Sequence, residues 1–170
     1  MNYYAYKGGV ITGIFLKKAK GLRIIMTKIF TALFAAALVL SPVPDTYIPA
    51  DDDVTALAQM AYGEARGLAD YEIAACMWVA LNRLDHGGYG DTVTEVVAAP
   101  GQFAGYSAQN PVDEELAAIA RDVLTRHDAQ QRGEDVPREI GREYLWFSGD
   151  GEHNWFRAAY DGPAVLPKEG

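Results

Sequence analysis

The sequence predicts a mostly helical α+β domain closed by a β-hairpin. Three observations predict it. Apolar residues recur at three- and four-residue spacing in successive segments after Asp51. One aromatic-rich stretch, YLWFSGDGEHNWF (144–156), is broken by Ser148-Gly149-Asp150-Gly151, which is a hairpin signal. The composition, 49% apolar and 22% charged, is that of a globular chain and not a disordered one.

In chain order, Asp51 to Asp53 offer an N-cap and negative charge at a helix start, and that helix is expected to run to about Arg66 with Gly67 as its C-cap. Asp70 is placed to cap a second helix reaching about Leu84, with Ile73, Met77, Leu81 and Leu84 on its apolar face. His86-Gly87-Gly88 ends it. Thr92 and Glu95 have the spacing of a capping box for a short helix through Ala98. Pro100-Gly101 breaks the chain before the loop GQFAGYS (101–107). Pro111 and Asp113 introduce a further helix carrying Leu116, Ile119, Val123 and Leu124. Residues 128–138 read as a polar surface loop, 144–156 as the hairpin, and the remainder as an irregular tail.

The first fifty residues stand apart. Six Lys or Arg face one Asp there, so with a total of −8 the remainder carries −13. Basic residues lead into an apolar run from Ile29 to Leu40, too short for a helix of ~20 residues across a bilayer but suited to a signal-peptide core. An uncleaved anchor, lengthened by Ile24, Ile25 and Met26, is the competing reading. The expected organisation is therefore a signal or anchor plus linker over 1–50, a domain over 51–165, and a tail over 166–170, acting outside the membrane. So acidic a domain is a poor ligand for nucleic acid, whose affinity for proteins comes from Lys and Arg displacing counterions. The single cysteine, Cys76, permits no intrachain disulfide and falls among apolar helix positions, as an inert packed thiol.

One residue breaks the first helix's apolar stripe. Leu57, Met60 and Ala61 lead to Glu64 on the same face, where partial desolvation favours a neutral carboxyl, the form a general acid uses. The alternative is a solvated rim glutamate or a partner of Arg66. No zinc-protease helix, paired CxxC or phosphate-binding glycine loop is present, and His86, His127 and His153 are scattered, so neither a metal nor another cofactor is expected. Tyr62, Phe103, Tyr106, Tyr144, Trp146 and Trp155 lie near turns; they suit either a sugar-stacking groove or an ordinary aromatic core. Glycosidic cleavage commonly needs a second carboxylate, and Asp70, Glu72, Asp91 and Glu95 are candidates that spacing does not separate.

Taken together, MAYGEARG (60–67), ALNR (80–83), TEVV (94–97) and PGQFAGYS (100–107) resemble the cell-wall hydrolases of the spore cortex-lytic, SleB-type family, over about residues 54–157. The resemblance implies a small lysozyme-like domain related to lytic transglycosylases, with peptidoglycan glycan strands as its partner and a monomer as its form. It implies that Glu64 is the catalytic acid and that Gln102 and Phe103 shape the groove. The implied reaction is cleavage between N-acetylmuramic acid and N-acetylglucosamine, giving either a 1,6-anhydro end or, by hydrolysis, a reducing end. Tyr62, Tyr106, Trp146, Asn154 and Trp155 complete the expected sugar-binding set. The segment 144–157 departs from the spore enzymes and looks more like vegetative or phage-associated relatives. A wall-binding module without turnover is the reading from another class, and the presence of Glu64 argues against it.

Overall fold

The computed structural model describes residues 47–169. The expected signal or anchor segment, up to residue 46, lies outside the described residues. Among the described residues four helices, α1 (Asp51–Glu64), α2 (Asp70–His86), α3 (Val93–Ala98) and α4 (Glu114–Gln131), precede a two-stranded antiparallel hairpin, β1 (Trp146–Gly149) and β2 (Asn154–Arg157). The domain is thus mostly helical α+β, as the periodicity predicts. Among the described residues no helix is long and apolar enough to cross a membrane.

Helix α2 is the centre. It packs against α1, α3, α4 and β1, so a one-sided apolar face would not suffice. Every residue from Glu72 to Arg83 is buried, with Cys76, Met77, Trp78 and Val79 fully so. A helix enclosed on all sides reads as apolar all round, which is why the expected stripe of Ile73, Met77, Leu81 and Leu84 describes only part of it. Burial pushes the Cys76 thiol up, which keeps it protonated and inert.

Asn82 and Arg83 of α2 are buried together with partners. Asn82 donates to the carbonyls of Gly141 (3.0 Å) and Tyr144 (2.9 Å). Arg83 donates from Nε to Leu145 O and from Nη1 to Gln102 O, both at 2.9 Å. Beneath them, Trp78 Nε1 donates to Glu139 Oε2 (2.7 Å), and Arg126 pairs with the same carboxylate at 3.0 Å. The loop between α4 and the hairpin is therefore tied to α2 by side chains where regular structure is absent.

Several element ends differ from expectation. Ala50 and Ala69, not Asp51–Asp53 and Asp70, occupy the N-caps of α1 and α2, and neither makes a side-chain cap. The aspartates lie in the first turn instead, where they still act on the positive end of the helix. Helix α1 stops at Glu64, two residues before Arg66, because the chain must reverse towards α2 through the Leu68 N–H to Ala65 O turn and Gly67 at φ 88°. Helix α4 continues to Gln131, into the segment expected to be loop. Two contacts hold side chains of that added stretch: Arg138 Nη1 donates to the side-chain oxygen of buried Gln130 at 2.6 Å, and Asp128 pairs with Arg132 one turn on. The hairpin reverses at 150–153, later than 148–151, because Asp150 Oδ1 accepts the N–H groups of Glu152 (2.9 Å) and His153 (2.8 Å).

The capping box of α3 forms. Thr92 Oγ1 accepts the Glu95 N–H at 3.1 Å, while the Glu95 carboxylate reaches back one residue further, to the Asp91 N–H at 2.8 Å. Asp113 caps α4 in the same manner. Replacing Thr92 by Ala is expected to cost ~1 kcal/mol, read as a lowered midpoint in urea unfolding with unchanged slope. After the hairpin, Val165 bridges Phe156 in both directions (2.8 and 2.9 Å), and the Lys168 N–H reaches Glu139 O at 2.9 Å.

Candidate functional site

Glu64 is the last residue of α1 and is half-buried. The loop after α3 lies across that helix end. Gly63 and Gly105 meet backbone to backbone, so closely that a Cβ on either would overlap the other's carbonyl. Only at that separation does the Gly105 N–H reach Glu64 Oε1, at 2.6 Å. The loop is held there by a reciprocal clasp: Gln59 Nε2 donates to Ala108 O (2.9 Å) and Asn110 O (3.1 Å), and Asn110 Nδ2 donates to Gln59 O and Gly105 O, both at 2.9 Å. The glycines of MAYGEARG and PGQFAGYS are thus two halves of one contact. Among the described residues Glu64 Oε2 has no hydrogen-bond partner.

Phe103 backs the loop. It is 6% exposed, 6.1 Å from Phe147 of β1, which in turn lies 5.8 Å from Phe156. The guanidinium of Arg83 sits 4.6 Å above the Phe103 ring and 5.6 Å from that of Tyr89. Desolvation lowers the Arg83 pKa, opposed by Tyr89 and Glu64, so this cation lies within the field of the Glu64 carboxylate. Through its bonds to Gln102 O and Leu145 O, Arg83 joins the loop to the start of the hairpin.

The expected site residues separate into three places. Glu64, Gln102, Phe103 and Tyr106 come together through α1 and the loop, with the Tyr106 N–H on Phe103 O at 3.3 Å. Tyr62 instead points to the far side of α1, where Arg66 Nη1 donates to its hydroxyl at 2.6 Å and both line a small cavity of about 120 Å³ with the start of α4. On the hairpin, register fixes the faces. Phe147 pairs with Phe156 and Gly149 with Asn154 on the inner face, whereas Ser148 with Trp155 and Trp146 with Arg157 occupy the outer one. Asn154 is 2% exposed and its amide donates to Cys76 Sγ at 3.2 Å. Trp155 is fixed by its indole N–H on Asp150 Oδ2 at 2.9 Å; this bond, with those from His153 and Glu152, holds the Asp150 carboxyl down to about 2.

Of the four candidate second carboxylates, Glu72 and Glu95 are engaged elsewhere. Glu72 is buried and accepts from His153 Nδ1 (2.8 Å) and the Asn154 N–H (3.0 Å). Glu95 accepts from Asp91 N–H, and Asp91 lies beside it in the α3 cap. Asp70 lines a cavity of about 580 Å³ between α2 and α4, which Glu64 does not border. Among the described residues no group of three or more His, Cys, Asp or Glu is placed to hold a metal ion.

Sequence reasoning missed Arg83, Asn82, Gln59 and Asn110 as organisers of the site. Arg83 and Asn82 carried a signal, since two strongly polar residues on an otherwise apolar helix must find partners. Gln59 and Asn110 carried none, their pairing being set by a contact between segments 51 residues apart.

No curated protein and no solved structure matches the chain. Residues 71–160 match the family model described as Cell Wall Hydrolase, beginning seven residues after Glu64. That match spans more than half of the 170 residues and takes in α2, the Arg83 junction, the loop and the hairpin: the chain belongs to the cell wall hydrolase family.

Proposed function

We propose that this cell wall hydrolase cleaves peptidoglycan glycan strands between N-acetylmuramic acid and N-acetylglucosamine, with Glu64 as its catalytic carboxyl and lytic transglycosylase chemistry. The observation that carries the reading is the Glu64–Gly105 contact. One carboxylate oxygen is fixed by a backbone N–H, and the other is left for substrate. A side chain so held presents its acid in one orientation, which general acid catalysis requires.

In the proposed reaction Glu64 gives its proton to the glycosidic oxygen as the bond from that oxygen to C1 of the muramoyl residue breaks. The carboxylate so formed takes the proton of the muramoyl 6-hydroxyl while O6 bonds to C1. The products are a 1,6-anhydromuramoyl end and a free 4-hydroxyl on N-acetylglucosamine, and no water is consumed. The engagement of Glu72 and Glu95 in other contacts, and the place of Asp70 on cavities that Glu64 does not border, support a single carboxylate serving both steps, where an inverting or retaining hydrolase commonly uses two. In this reading Gln102 and Tyr106, on the loop beside Glu64, meet the glycan, and buried Phe103 backs that loop. Trp146 and Trp155 contact glycan only from the outer face of the hairpin, and Asn154 acts by fixing the hairpin.

Digestion of purified sacculi, with the released fragments weighed by mass spectrometry, tests this. Anhydro-muropeptides are the expected product. Reducing muropeptides heavier by one water would replace transglycosylation by hydrolysis at the same bond, and free stem peptides or no release would overturn glycan cleavage.

A further inference from the structure

The buried carboxylate of Glu72 has no part in the proposed chemistry, yet it is 2% exposed in the first turn of the central helix. A charge so enclosed is costly unless paired and hydrogen-bonded. Both of its oxygens are used, and both partners come from one place, the return of the hairpin. Oε1 accepts from His153 Nδ1 at 2.8 Å, and Oε2 accepts the Asn154 N–H at 3.0 Å. That N–H faces away from β1, whose backbone bonds here to its neighbour, Asp150 N–H to His153 O. Asn154 adds its own amide to Cys76, one turn along α2, and presses against Gly149, where a Cβ would stand 2.8 Å from Asn154 Oδ1.

This anchorage reaches the loop that holds Glu64. The same hairpin face carries Phe147 against Phe103, and Phe103 lies two residues from the N–H that holds Glu64. We propose that Glu72 is a positioning residue for the glycan cleft and that, with His153, it forms a proton-dependent anchor of the hairpin wall. The cleft role rests on the glycan-cleaving reading for its substrate; the anchor itself does not.

The groups facing the pair are few. His153 meets Glu72 from α2 and Asp150 and Glu152 from its own turn; Glu72 meets Tyr71 beside it and the neutral Cys76 thiol, which also senses Glu64. The hydrogen bond to Glu72 raises the His153 pKa, ahead of the opposing effect of desolvation. A group whose folded value is raised contributes fully below the ordinary imidazole value and loses that contribution as pH rises through the raised one. The anchor is therefore tight in mildly acidic conditions and loosens towards alkaline pH.

The test uses the full chain, with His153→Gln as the main variant because the His153 side chain is 46% exposed and its loss leaves the core packed. Protection of the Asn154 amide against hydrogen exchange, corrected for intrinsic rates, is expected to fall at least tenfold from pH 6 to pH 9 in the native protein. In His153→Gln it is expected to be low at both. In parallel, the sacculus concentration giving half-maximal release is expected to rise several-fold over the same range in the native protein. The variant is expected to show the raised value already at pH 6, with its maximal rate within about twofold of native. Glu72→Gln, if folded, repeats the variant's behaviour. Native protection in His153→Gln overturns the anchor, whether or not any glycan is released. Lost protection with an unmoved half-saturation overturns the link to the cleft. Absence of release by every protein, with protection behaving as stated, removes the glycan reading alone.

Discussion

Glu64→Gln is expected to release muropeptides from purified sacculi at a rate lower by a factor on the order of 10²–10⁴, the usual contribution of a positioned acid or base. The glutamine keeps the shape of the side chain, and its carbonyl still accepts the Gly105 N–H that Glu64 Oε1 accepts at 2.6 Å. What it loses is the transferable proton on the oxygen that meets substrate. Circular dichroism and the thermal midpoint should therefore match the native protein. Undiminished release from a folded variant would remove Glu64 from the chemistry.

The second large effect is expected of Gly63→Ala. Two opposed quantities decide its sign. Alanine is favoured over glycine within a helix by ~1 kcal/mol, which alone would stabilise α1. Against this, the added methyl overlaps the Gly105 carbonyl, a backbone atom that cannot move aside by changing rotamer. Overpacking of a site with side-chain freedom already costs typically about 1–3 kcal/mol, so the steric effect wins. The loop must lift, the Gln59–Asn110 clasp must stretch, and the Glu64–Gly105 bond must break. A thermal midpoint lower by several degrees is expected, together with a loss of release of roughly tenfold or more. The two readouts separate this variant from Glu64→Gln, in which only release falls. Native stability in Gly63→Ala would mean that the helix end and the loop are not in contact.

Much of the fold was legible in the sequence because it depends on local signals. The helix starts at Thr92 and Asp113 are written in side chains that cap within three residues. The hairpin is written in two aromatic-rich runs around a glycine-containing return. Where expectation slipped, the deciding atoms came from afar. Helix α4 runs on to Gln131, where Arg138 reaches the side-chain oxygen of Gln130 from the next segment. Helix α2 buries its whole circumference because four other elements need it.

The site was legible in part for the same reason. Glu64 is visible as a charge on an apolar stripe, and the glycines beside it as motif letters. Their purpose is visible only when the loop lies on the helix. Trp146 and Asn154 show the limit most clearly. Both belong to one hairpin, yet strand alternation turns the first outward and the second into the core. A one-residue error in register would exchange them. Nothing local singles Glu72 out from Asp70, Asp91 and Glu95, since its burial arises from a hairpin 81 residues away.

Cys76, the chain's one thiol, is sealed beneath the hairpin and kept protonated. The surface is consequently blank to maleimide dyes. A cysteine introduced at exposed Ala104, next to the Glu64 contact, would be the sole labelling position on the molecule. A fluorophore there would report a change of surroundings beside the Glu64–Gly105 contact when wall material binds, with no background to subtract.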